Sequence, residues 1–258
     1  MQTLHLAGES TYEDERDEAL LERRHQTMGV ATLALLLHGW VVFRALGLPA
    51  HLHLPFFTSL NAVSMAVVLL HIAICLRQPA TYLGIAIYPL ASFSLIAWLL
   101  FGDDTSLEPA GQHIEVHVFL SLLSYAMLTL AALQSGLVAI QRHLLKDHQA
   151  GGLVRALPAL DRTEELLFTL LTVGFVLLTF ALGTGFLILD NMFAQHVVHK
   201  TFLSSAAWLI FGIILLGRWR FGWRGNRALI FIFAGSAVLV LAFFGSKFVF
   251  EILLDRGG

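Results

Sequence analysis

Seven apolar runs of roughly twenty residues, separated by short polar segments, leave this chain few folds to choose from. Each is long enough to cross a hydrocarbon core about 30 Å thick as a helix. A backbone at that depth must also satisfy its own hydrogen bonds. The runs fall at about 28–46, 56–76, 81–101, 116–140, 166–189, 201–217 and 227–250. They take up most of the 258 residues, of which 57% are hydrophobic and 13% charged, and leave no room for a large soluble domain. The expected fold is all-α: a polytopic transmembrane bundle of seven helices over 28–256, preceded by an acidic segment, 1–27.

Net charge is only −2, and its placement says more than its sum. With the N-terminus in the cytoplasm, the inner segments carry Arg16, Arg23, Arg24, Arg77, Arg142, Lys146, Arg155, Arg162, Arg218, Arg220, Arg224 and Arg227. Arg44, Lys200, Lys247 and Arg256 remain outside, a ratio of twelve to four. Cytoplasmic loops concentrate Lys and Arg, so this orientation is expected and the reverse rejected. The outer loops then lie at about 47–55, 102–115 and 190–200.

Cys75 is the single cysteine, which excludes an intrachain disulfide, a CxxC redox motif and covalent haem attachment by this chain alone. The polar, acidic start is not expected to be a cleavable signal peptide. Residues 10–25 suit a short cytoplasmic helix, with Ser10 and Glu13 as a capping box and Arg23 and Arg24 at the end. Pro89 interrupts the third run and favours a kink. In GRWRFGWRGNR (217–227), Trp219, Phe221 and Trp223 alternate with Arg218, Arg220 and Arg224, a pattern that suits the headgroup layer. That loop is too short and too close to the membrane to be a nucleic-acid site.

Twelve histidines are the unusual polar content of so apolar a chain. His51, His53, His113, His117, His196 and His199 fall on the outer side, whereas His38 and His71 lie within apolar runs. Ionisable groups at membrane depth are expensive and commonly functional, and imidazole is the commonest side-chain metal ligand. In HIEVHVFLSLLSYAMLTLAALQSG (113–136), His117, Ser121, Ser124 and Tyr125 share one polar stripe at helical spacing. That stripe either lines a cofactor pocket headed by His117 or makes interhelical hydrogen bonds. His113 with His117, and His196 with His199, have helical metal-pair spacing, but nothing sets the pairs opposite each other. HIEVH lacks the glutamate position of HExxH, and no paired carboxylate, dithiol or nucleophile suggests an enzyme.

His117 and His199 each open a helix on the outer side, and together they could supply the two axial ligands of haem b. Lys200, Lys247 or Arg44 could then meet the propionates. His38 lies roughly 16 Å into the first helix at 1.5 Å per residue. It could be a transit ligand, a partner of a ligand or a satisfied interhelical histidine. For His71 the structural role is favoured.

The blocks HVFLSLLSYAMLTLAALQ (117–134), HKTFLSSAAW (199–208) and GRWRFGWRG (217–225) resemble the YpjD-like branch of the cytochrome c assembly protein family. That family includes haem-handling proteins such as CcsA, ResC, CcmC and the HemX-like proteins, and the similarity extends over about 28–256. The resemblance implies a multi-pass bacterial inner-membrane protein with its active face toward the periplasm. It also implies haem ligation by outer histidines, here His117 and His199, and an intramembrane histidine at His38. The haem-handling members carry a tryptophan-rich WGxxWxWD loop; the matching DNMFAQHVV (190–198) has no tryptophan, which argues against presentation of haem to an apocytochrome. YpjD-like proteins usually begin with one more membrane helix, so the expected full count is eight if the chain start is misassigned.

The function expected is therefore a non-enzymatic, haem-binding or haem-handling membrane protein related to cytochrome c biogenesis. The expected cofactor site is His117, His199, His38, Ser121, Tyr125 and Lys200, with His117 and His199 on the metal. The expected partners are the lipid bilayer and membrane proteins of haem or cytochrome c maturation, with no nucleic acid. The alternative is a non-haem auxiliary protein, a scaffold or an accessory to metal-ion transport.

Overall fold

The structure is a computed structural model that describes residues 22, 25–26, 28–44, 55–102, 114–147, 157–188 and 195–245. Those residues fold into seven helices and no strand. They are α1 (Met28–Arg44), α2 (Phe56–Arg77), α3 (Gly84–Phe101), α4 (Ile114–Lys146), α5 (Leu160–Ile188), α6 (Gln195–Phe221) and α7 (Asn226–Val240). A short 3-10 turn, Thr81–Leu83, leads into α3, and a π-helical turn, Leu241–Gly245, continues α7. Six of the helices, α2 to α7, are long and apolar enough to cross a bilayer, and α1 is a shorter apolar helix. Their outward faces carry Leu36, Phe93, Leu99, Phe180, Phe202 and Leu209, all exposed, as a lipid-facing surface requires.

α4 is the central helix. It packs most extensively on α5 and also touches α2 and α7; α6 closes the bundle between α5 and α7. The core around it is built from small and branched residues: Ala126, Leu128, Leu130 and Ala131 of α4 against Leu167, Leu170 and Leu171 of α5. Close approach at mid-height depends on Gly174, since a Cβ there would stand 2.8 Å from the Leu128 side chain. Ser124 uses that closeness to donate to the Gly174 carbonyl at 3.1 Å. In a bilayer, small residues and single interhelical bonds of this kind hold helices together, because lipid offers no hydrophobic gain between them.

A polar clamp joins α4 and α5 at the arginine-rich end, the end that the positive-inside rule assigns to the cytoplasm. Gln134 donates to the Thr163 carbonyl at 2.8 Å and accepts from the Tyr82 hydroxyl at 3.3 Å. Thr163 donates to Gln141 Oε1 at 2.9 Å, and Gln141 Nε2 donates to the Pro158 carbonyl at 2.9 Å. Arg142 pairs with the buried Glu164. These bonds explain why α4 runs to Lys146, past the apolar run that ends near 140, and why α5 starts at Leu160 rather than 166. The polar ends remain helical because each finds its partner on the neighbouring helix.

Other boundaries shift as well. Residues 218–221, expected in a loop, form the last turn of α6, and the turn to α7 needs only Gly222 to Gly225. Gly222 and Gly225 take left-handed φ of 65° and 68°, which compresses the reversal and lets the Arg142 guanidinium lie against Gly225. Trp219 and Phe221 are exposed at this end, while Trp223 folds back over Gly217 and Phe231. Residues 195–200, expected in an outer loop, are the start of α6. Pro89 lies on the exposed side of the second turn of α3, which stays helical through it. The expected helix at 10–25 and the segment 1–27 lie almost wholly outside the described residues.

Candidate functional site

The histidines separate by how their two ring nitrogens are used. His71, near the arginine-rich end of α2 and 1% exposed, is engaged on both sides. Its Nε2 is 3.1 Å from the Ala80 carbonyl and 3.3 Å from Cys75 Sγ, and its Nδ1 is 3.3 Å from the Tyr88 hydroxyl. With no nitrogen to spare, it ties the α2–α3 turn to both helices.

His117 is different. It sits in the first turn of α4, half-buried, with Nδ1 2.9 Å from the Ala181 carbonyl and 3.3 Å from Thr184 Oγ1 on α5. A carbonyl oxygen only accepts, so Nδ1 carries the proton and Nε2 keeps its lone pair. The ring lies over Gly185, where an added Cβ would be 3.0 Å from His117 Cε1. Among the described residues nothing hydrogen-bonds Nε2.

His38 of α1 repeats the pattern six residues before the helix ends at Arg44. It is 1% exposed, and its Nδ1 meets Oδ1 of the fully buried Asn61 at 2.5 Å. Again no described residue bonds Nε2. Asn61 lies five residues into α2, so both imidazoles with an open nitrogen are in the half of the bundle away from the arginine-rich end.

The other expected site residues divide. Tyr125 is buried, lies beside Ser204 of α6 and packs on Phe243 with ring centroids 5.0 Å apart. Ser124 turns to α5, donating to the Gly174 carbonyl, whereas Tyr125 packs toward Phe243. Ser121 is half-buried. Lys200 is half-buried and engaged with a neighbour. The backbone of His199 is at the start of α6, but its side chain, like those of His113 and His196, lies outside the described residues. No group of three or more His, Cys, Asp or Glu able to hold a metal occurs among the described residues.

Sequence reasoning missed Asn61, Thr184, Gly185 and the Ala181 carbonyl. An amide inside the apolar run of α2 was a readable signal for Asn61. The carbonyl had none, because every residue carries one.

A bundle of long apolar helices, in which two imidazoles of one half have a ring nitrogen without a partner among the described residues, defines the class: a polytopic helical membrane protein. The family follows from comparison: the chain matches the model of the cytochrome c assembly protein family over residues 30–254 and belongs to that family. It is a multi-pass inner-membrane protein. It is 37% identical over 138 residues to inner membrane protein YpjD of Escherichia coli strain K12, across 54% of this chain and 52% of that one. An uncharacterized 28.8 kDa protein of Azospirillum brasilense is 34% identical over 146 residues, across 56% and 54%. The chain spans about half the length of the curated relatives it matches. No solved structure matches it.

Proposed function

We propose that this chain is a non-enzymatic haem-binding protein of the inner membrane, in which His117 and His199 would hold haem b. The observation that carries this reading is the Nδ1–H of His117 on the Ala181 carbonyl, which leaves Nε2 free to ligate. Metal-bound histidines commonly donate their second nitrogen to a carbonyl or carboxylate, which orients the ring and raises its basicity. Gly185 gives the ring its seat, and Thr184 reinforces the Nδ1 contact. Lys200, one residue from His199, supplies positive charge suited to a propionate, and Ser121 and Tyr125 lie one and two turns along α4 from His117. His38 is a separate, intramembrane position that would hold haem in transit. Haem supplies a redox-active iron whose potential its axial ligands set. Partners in haem or cytochrome c maturation are part of the proposal.

One observation favours a second reading, a non-haem scaffold or accessory to metal-ion transport: the stretch 190–198 contains no tryptophan. Absorption spectroscopy of the detergent-purified chain separates the two. The expected result is a Soret band, from protein as isolated or after adding haem, that is lost in a His117→Ala, His199→Ala double variant. A folded, colourless preparation that refuses added haem would overturn haem binding and leave the scaffold.

A further inference from the structure

The pairing of His38 with Asn61 asks for an explanation that packing alone does not supply. Asn61 is 0% exposed, its Oδ1 is spent on His38 Nδ1, and its Nδ2 is buried with no hydrogen-bond partner among the described residues. Leucine, close to asparagine in shape, would fill the place between α1 and α2 without burying an unmatched amide donor in a membrane. What leucine lacks is an acceptor for the imidazole.

We propose that Asn61 is a positioning residue whose side-chain oxygen holds His38 with the proton on Nδ1, so that Nε2 is kept as a lone-pair donor. The inference deepens the proposed function and rests on it, since a prepared ligand nitrogen matters only if there is something to ligate. Three observations support it. His38 and His117 sit on different helices, yet both give Nδ1 to an oxygen acceptor and leave Nε2 without a described partner. His71, the third described buried or half-buried histidine, has both nitrogens engaged, so an open Nε2 is not simply what any histidine in this bundle shows. The oxygen on His38 comes from a side chain, whereas the one on His117 comes from the backbone. Only the His38 tautomer can therefore be changed by a single substitution.

The test reads the tautomer directly. The full chain, labelled with 15N-histidine and placed in phosphatidylglycerol-containing bilayers, is examined without haem by solid-state 15N NMR, with a His38→Gln variant assigning the resonances. The expected wild-type signal is an Nδ1-protonated, Nε2-unprotonated ring. Asn61→Asp keeps the acceptor and should keep that form, and Asn61→Leu should shift the ring toward the Nε2-protonated form. A wild-type ring protonated on Nε2, meaning that the amide is reversed and donates, overturns the proposal, as does an unchanged tautomer in Asn61→Leu. If the leucine variant does not fold, the wild-type and Asn61→Asp spectra decide alone. A haem titration of the same samples is kept separate. Haem that binds through His38 should bind about 10–100-fold more weakly in Asn61→Leu and recover in Asn61→Asp. A wild-type chain with the expected tautomer that takes up no haem removes the proposed function while the tautomer result stands.

Discussion

One atom of clearance at Gly185 decides how the His117 ring is seated. An alanine Cβ would stand 3.0 Å from Cε1, tighter than ordinary contact, so the ring must move by a few tenths of an ångström. Small displacements of a ligating group are felt strongly, and changes next to metal ligands typically cost about 10–100-fold in affinity. We therefore expect Gly185→Ala to fold and to bind haem roughly tenfold more weakly in a Soret titration, a loss that follows from the figure for such neighbours. Unchanged affinity in that variant would show that His117 is not where haem is held. How much of this was legible in sequence varies by residue. His117 was singled out by position, at the polar mouth of an apolar run, and the structure supplies the partner that makes its Nε2 available. Gly185 and the Ala181 carbonyl were not legible, because they lie on a helix more than sixty residues away.

Among elements, the pair α4–α5 holds the molecule together. Its clamp is a chain of hydrogen bonds from the Tyr82 hydroxyl through Gln134 to the Thr163 carbonyl and from the Thr163 hydroxyl to Gln141, closed by Arg142 with Glu164. Interhelical hydrogen bonds in bilayers are worth about 0.6 kcal/mol on average and up to about 1.7. Removing one member also strands a buried partner, at about 1–3 kcal/mol. Thr163→Val, which keeps the shape and deletes the hydroxyl, should lower stability by about 1–2 kcal/mol in reversible unfolding within bicelles. The Soret titration should stay unchanged, since the clamp is at the far end of α4 from His117. The apolar runs showed that both helices exist. They understated the lengths, because a hydropathy pattern stops at the first polar residues. Gln141 and Arg142 continue the helix only because Pro158, Thr163 and Glu164 receive them.

At the scale of the whole molecule, orientation is the open physical quantity. Placing Arg77, Arg142 and Arg218 inside puts the open nitrogens of His38 and His117 in the outer half. Cys75, the only cysteine and 3% exposed, makes a natural silent background for labelling. An Asp147→Cys variant, at the exposed end of α4, should resist a membrane-impermeant maleimide added to whole spheroplasts and react once the membrane is opened. Labelling of intact spheroplasts would invert the bundle and move the histidine site to the cytoplasmic face.

What the sequence determined by itself was the kind of molecule: apolar length and the backbone's need for internal hydrogen bonds require helices across a bilayer, and arginine placement predicts their orientation. Those constraints are local or additive along the chain, so no contact is needed to read them. Only the tertiary structure decided which polar groups are satisfied. It turned Ser124 to α5 and Tyr125 to Phe243, filled both nitrogens of His71, and left one nitrogen of His38 and of His117 without a partner among the described residues. A hydrogen bond within a membrane has no water to fall back on. Whether a buried group is spent or available therefore depends on what the neighbouring helix brings opposite it, and that is set by packing alone.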